Sequence, residues 1–318
     1  MKQTVRITWA FLLVMAGHLP VFAEGVLHPH FEMGTSVAFG DATELVFVPS
    51  DDRFYNDPLS RLTWPVPPSI SMDLAVEWPW TDRTSTIVAL RGLWPVTIGT
   101  LVDEDWKAAT RNSSVFLNYG RSTHEGYLTG HWQARIEQTF KADDFVFGLG
   151  GEYRFATWEG WNGTGSYDKT TTSGTVSTRS TDSVTFSGLL IAYRQQWYIP
   201  YFAASWKWQS EGWSLTPAIR FSPYTWCFDM DNHNYATQAT TTFLDNVRGG
   251  VYGWFGLEVA FGEEGELWGI RGSWESAYGA MGETTQTVAK ESAATYDTTA
   301  NSAGAWFQEA SISVFMRN

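Results

Sequence analysis

Ser69-Ile70-Ser71-Met72-Asp73-Leu74-Ala75-Val76-Glu77-Trp78 is the stretch whose reading decides the fold. Ile70, Met72, Leu74, Val76 and Trp78 alternate without a break against Ser69, Ser71, Asp73, Ala75 and Glu77. Side chains of a strand point to opposite faces in turn, so this segment reads as a strand with one apolar and one mostly polar face. The same pattern returns further along. Phe202, Ala204, Trp206 and Trp208 oppose Ser205, Lys207 and Gln209, and Trp213, Leu215, Ile219 and Phe221 oppose Ser214, Thr216 and Arg220. Near the end, Ala310, Ile312, Val314 and Met316 oppose Glu309, Ser311 and Ser313. No stretch carries a helical period over three turns.

The connections between these strands alternate in length. Short turns are expected at Pro79 to Arg83, Lys141 to Asp144, Gln209 to Gly212 and Gly262 to Gly265. Long polar segments are expected near Ser50 to Ser60, Asp103 to Glu125, Glu159 to Ser183, Asp229 to Asp245 and Ala280 to Ala303. The Thr/Ser-rich tracts Thr170 to Ser183 and Thr284 to Ser302 read as loop tips without chemistry. Counting strands between these connections gives about ten, an even number, as a closed antiparallel barrel of a bacterial outer membrane requires. The composition agrees: 18 Trp, 13 Tyr, 20 Phe and 29 Gly suit the aromatic girdles of such a barrel better than a soluble core. The expected fold class is therefore all-β, a transmembrane antiparallel β-barrel with short periplasmic turns and long extracellular loops.

Residues 1–23 have the form of a secretory signal, with Lys2 and Arg6 before an apolar run from Ile7 to Ala16 and Val21-Phe22-Ala23 at the cleavage site. Residues 24–318 would then form the barrel. The apolar run is too short for a membrane helix, and no later segment supplies the roughly 20 apolar residues that one needs. Cys227 is the single cysteine, so an intramolecular disulfide is excluded. Removing Lys2 and Arg6 with the signal moves the formal charge from −13 to −15, which speaks against a nucleic-acid partner and favours cationic peptides.

Two short acidic signatures lie at strand ends on the long-connection side: Asp103-Glu104-Asp105 and Asp229-Met230-Asp231-Asn232-His233. Strand parity puts Asp103 with Asp105 on one face, and Asp229, Asp231 and His233 on another. Such carboxylates with an imidazole can bind a metal, activate water, or be solvated rim charge. A calcium loop starting at Asp229 is disfavoured, because its sixth position is Asn234 rather than Gly and its twelfth is Thr240 rather than Glu.

In these motifs the chain resembles the omptin family, outer-membrane endoproteases of Gram-negative bacteria. Val102-Asp103-Glu104-Asp105-Trp106 is similar to the segment that carries the family's paired aspartates, and Asp231-Asn232-His233 to the one with its catalytic Asp and His. Tyr235, Tyr193-Arg194-Gln195-Gln196 leading to Pro200-Tyr201, and Gly34-Thr35 followed by Glu44 extend the match. The resemblance implies catalysis by Asp103, Asp105, Asp231 and His233, with water as nucleophile, and a pocket for Arg or Lys lined by Glu44 and Asp229. Cleavage at dibasic sites of polypeptide substrates follows from it, by a monomer in the bacterial outer membrane whose site faces the extracellular side. No metal or organic cofactor is implied. Lipopolysaccharide, or another outer-membrane lipid, is the implied activator, but its expected positions depart from the family pattern. Tyr153 matches, whereas Phe155, Thr157 and Gln196 replace charged residues. The chain also ends Phe315-Met316-Arg317-Asn318 rather than on an aromatic. The competing readings are a non-catalytic barrel, serving as an adhesin, a basic-peptide-binding protein or a narrow porin, and a metal-dependent hydrolase using the same carboxylates.

Overall fold

Period-two alternation becomes a closed wall. The structure, a computed structural model, describes residues 28–47, 58–108, 116–173, 176–234, 240–263, 266–290 and 293–318. Residues 1–23, expected to be the signal, and Tyr235 lie outside the described residues. The strands are β1 (His30–Phe47), β2 (Pro58–Thr81), β3 (Thr84–Leu93), β4 (Val96–Ala108), β5 (Phe116–Ala142), β6 (Phe145–Ser173), β7 (Val176–Trp206), β8 (Trp208–Ser210), β9 (Trp213–His233), β10 (Thr241–Glu263), β11 (Glu266–Lys290) and β12 (Ala293–Arg317). Every pairing is antiparallel, and β1 pairs with both β2 and β12, so the sheet closes on itself. Closure is pinned at the last residue, where Asn318 accepts the Phe31 backbone N–H at 2.7 Å through its side-chain oxygen.

Twelve strand segments are described, more than the ten expected. Two breaks account for the difference. β3 and β4 together lie between β2 and β5, interrupted at Trp94-Pro95. Proline has no N–H to give the ladder, so the hydrogen-bonding row stops there. β7 and β8 both pair with β9 and are interrupted at Lys207, whose N–H turns to the carbonyl of Asp144 instead.

The Thr/Ser-rich tracts are also corrected. Among the described residues they are strand rather than loop: β6 runs to Ser173, β7 starts at Val176, β11 continues through Thr284 to Lys290 and β12 from Ala293 through Ser302, with pairs such as Thr284 with Thr299 and Thr285 with Thr298. Threonine is β-branched and favours extended backbone, so a polar tract with a ladder partner, even on one side only, stays in the sheet.

Ile70, Met72, Leu74, Ile312, Val314, Met316, Phe202 and Trp206 face outward and are exposed, whereas Ser69, Ser71, Ser311 and Ser313 are buried in the lumen. These apolar positions form a belt near the short-turn end. A tilted strand crosses a bilayer in about 9–11 residues, yet β6 has 29 and β7 has 31. The wall therefore continues well beyond the belt on the long-connection side.

The lumen is filled in two layers. At the level of the belt, Arg154 donates to Glu275 at 2.7 Å and to Glu309 at 2.6 Å, and Arg91 donates to Glu309 at 3.0 Å. Above it, Tyr193 stacks on Trp64 and Trp158, with ring centres 5.5 and 5.6 Å apart. This aromatic layer is the floor on which the acidic rim sits. A cavity of about 1330 Å³ opens at the opposite, short-turn mouth among Glu32, Arg135, Glu258 and Arg271, and holds none of the predicted site residues.

Candidate active site

Parity within β4 separates its three acids. Glu104 turns away from its neighbours and is held by Arg61 at 3.0 Å and by the Tyr119 hydroxyl at 2.7 Å. Asp103 and Asp105 take the other face. On β9 the same rule aligns Cys227, Asp229, Asp231 and His233, and Cys227 is a buried thiol within the wall.

β4 and β9 are separated by three strands, β5, β6 and β7. Curvature of the closed wall nevertheless brings their inner faces together, because the charges of Asp103 and Asp105 act on His233. Glu44, on β1, feels Asp231, Asp229, Asp245 and Asp103. All six predicted residues thus share one site on the long-connection side of the belt. Glu44 lies five residues beyond the outward-facing Phe39, and Asp229 five beyond Tyr224.

His233 Nε2 is hydrogen-bonded to Asp231 Oδ2. A carboxylate can only accept, so Nε2 carries the hydrogen and Nδ1 is the basic nitrogen of the neutral ring. Burial opposes charge on this imidazole, but Asp231, Asp103 and Asp105 outweigh it and raise its pKa to about 9. Asp103 is also shifted upward, pushed to about 7 by burial and by Asp105. Two close carboxylates do not ionise together easily.

Sequence reasoning missed two neighbours on β5. Ser122 hydrogen-bonds Asp103 and lies 2.8 Å from His124 Nε2, while His124 Nδ1 lies 2.6 Å from the backbone carbonyl of Asn162. The carbonyl can only accept, so Nδ1 donates to it. Burial and the nearby His233 hold His124 below the usual histidine range, so its ring is neutral and Nε2 accepts the Ser122 proton. Ser122 then offers Asp103 a lone pair, which suits a protonated Asp103. The alternation Ser122-Thr123-His124 is the only signal in sequence, and it is shared by countless polar strand ends.

A third missed residue is Asp245 on β10. It stands directly across the ladder from Asp229. Glu44, Asp229 and Asp245 are all buried, and each offers an oxygen within 4.8 Å of the other two. Among the described residues, this is the group of acids close enough to hold a cation. Burial raises all three, with their mutual repulsion adding to it for Glu44 and Asp229, and Asp245 reaches about 7. Tyr193, part of the aromatic floor, donates to Asp229 at 3.3 Å.

On the outer wall, the expected lipid positions carry a neutral set. Gln196 donates to the Tyr153 hydroxyl at 2.7 Å, Phe155 pairs across the ladder with Gln196, and Thr157 lies 3.0 Å from the Thr129 hydroxyl.

Comparison with known proteins bears on the fold and the family. No curated protein sequence matches the chain significantly. Among solved structures, the crystal structure of outer membrane protease OmpT from Escherichia coli superposes with a TM-score of 0.74 at 14% identity, covering 93% of this chain and 98% of that one. A Pseudomonas aeruginosa FadL homologue aligns at a TM-score of only 0.26 with 7% identity, over 89% of this chain and 90% of that one. The Omptin family profile matches residues 30–317, nearly the whole described barrel. The chain belongs to the omptin family and is by class an outer-membrane β-barrel protease.

Proposed function

We propose that this protein is an endopeptidase that cleaves polypeptides beside basic residues at the extracellular rim of its barrel, using water as the nucleophile. The observation that carries this reading is the pairing of an Asp231–His233 couple with Asp103 and Asp105 across one cleft, beside a pocket of buried carboxylates.

The roles follow from proton positions. His233 Nδ1, when neutral, takes a proton from water held between the two sides, and returns it to the leaving amine as the intermediate collapses. Asp231 fixes the ring by accepting from Nε2 and stabilises the imidazolium that forms. Asp103, whose pKa burial and Asp105 push up to about 7, donates a hydrogen bond to the oxyanion in its protonated form, and Asp105 orients the water. Ser122 and His124 position Asp103. The basic side chain before the scissile bond enters between Glu44 and Asp229, where charge-assisted hydrogen bonds replace its lost hydration. No step needs a second chain, so a monomer suffices. A lipid activator would have to use a face that carries Tyr153, Phe155, Thr157 and Gln196.

The test is turnover of a fluorogenic dibasic peptide by the refolded barrel in detergent, with and without lipopolysaccharide, against His233→Ala. Cleavage that disappears in the variant supports the reading. A well-folded barrel that cleaves in neither condition points to a binding protein instead, and full loss of cleavage on chelation points to a metal-dependent hydrolase.

A further inference from the structure

Resting on the endopeptidase reading, we propose that Asp245 is a specificity-determining residue, the third wall of a three-carboxylate cradle that makes the pocket select lysine over arginine before the scissile bond. An acidic cluster alone would not carry this. The second observation is that the cluster holds orphaned oxygens: both of Asp245, Oδ1 of Asp229 and Oε2 of Glu44 are sealed from solvent without a hydrogen-bond donor of good geometry. Thr284, the ladder partner of Asp245, is the hydroxyl that lies beside it. Buried carboxylate oxygens left in that state are costly unless they take up a proton or a cation meets them.

The groups around the three-carboxylate cluster are acidic or neutral. β9 contributes Asp229, Asp231 and Cys227, β1 contributes Glu44, β7 contributes Tyr193 and β4 contributes Asp103. Among the described residues, no lysine or arginine is among the largest influences on Glu44, Asp229 or Asp245. Without a cation from outside, these acids are driven toward their protonated forms; a bound cation would ionise them.

Geometry chooses between the two basic side chains. Glu44, Asp229 and Asp245 present oxygens on three strands, each within 4.8 Å of the others. An ammonium has three N–H donors at tetrahedral angles, and at normal hydrogen-bond length they spread three acceptors about 4.6 Å apart. A guanidinium is planar, and two acceptors flanking one of its nitrogens lie about 5 Å apart in that plane, so a third out-of-plane carboxylate gains less from it. The lysine stem would lie along the Trp64–Tyr193 stack, as long cationic side chains commonly cover apolar surface. With two carboxylates, Glu44 and Asp229 would accept either residue. Asp245 tips the choice.

Equilibrium binding separates this proposal from the catalytic reading. The intact barrel carrying His233→Ala is titrated into two fluorescent peptides that differ only by Lys or Arg at the residue before the scissile bond, with anisotropy as the readout. The lysine peptide is expected to bind about 10-fold more tightly, and Asp245→Asn to weaken it by about 10- to 100-fold while removing the preference. Equal or tighter binding of the arginine peptide overturns the proposal. So does an Asp245→Asn protein that weakens both peptides equally. The preference of the unsubstituted pocket stands as a test even if Asp245→Asn does not fold. Binding with this preference by a barrel that cleaves nothing with His233 intact would sink the endopeptidase reading and leave the pocket assignment standing.

Discussion

His233 Nε2 and Asp231 Oδ2 are hydrogen-bonded two residues apart on one strand, so the ring is oriented by its own backbone register. Asp231→Asn keeps the shape but replaces an obligate acceptor with a group that can donate, which permits the wrong tautomer. kcat is expected to fall about a thousand-fold or more. Near-wild-type turnover would show that Asp231 does not orient the base.

Activity should depend on pH as a bell. His233, at about 9, is mostly protonated and Asp103, at about 7, mostly ionised between those values, so the working form is a minority species. Its fraction rises with pH up to about 7 as His233 loses its proton, stays level, and falls above about 9 as Asp103 goes on losing the proton it gives to the oxyanion. The working form, neutral His233 with protonated Asp103, is most populated between the values of about 7 and about 9. A kcat/KM profile that keeps rising past pH 10 would remove Asp103 from the mechanism as a proton donor.

Ser122→Ala removes the acceptor that favours a protonated Asp103. The acidic limb of that bell should move to lower pH, and kcat should fall while KM changes little. A shift to higher pH would mean that the hydroxyl donates to an ionised Asp103, and the proton order through His124 would be reversed.

The filled lumen predicts no channel activity. Trp64, Trp158 and Tyr193 close it above, and Arg154, Glu275 and Glu309 close it at the belt. Planar-bilayer recording should give no steady conductance, and steady porin-like steps would refute the closed-lumen picture. Arg154→Ala takes the guanidinium from buried Glu275 and leaves Glu309 with Arg91, and is expected to cost about 3–5 kcal/mol, read as an earlier thermal unfolding transition in detergent.

Much of the barrel was legible because its signal is local. Ser69 to Trp78 states its two faces in consecutive letters, and the short turns at Pro79 to Arg83 and Lys141 to Asp144 are punctuated by Pro, Asp and Lys. The pairs Asp103 with Asp105 and Asp231 with His233 were readable for the same reason, since a strand's parity is fixed by adjacent residues. The Thr-rich tracts misled because composition alone resembles a loop. Only their ladder partners made them strand.

Asp245 shows the other limit. In Thr242-Phe243-Leu244-Asp245-Asn246 nothing marks it as functional. It joins the pocket because the β9–β10 register sets it opposite Asp229, and because closing β1 onto β12 swings Glu44 toward them both. The sequence by itself determined the strands, their inner and outer faces and the acids with the right parity. Which acids meet, which lose their water, and which keep a proton was decided by the tertiary structure alone, because desolvation and charge repulsion depend on distances between strands far apart in the chain.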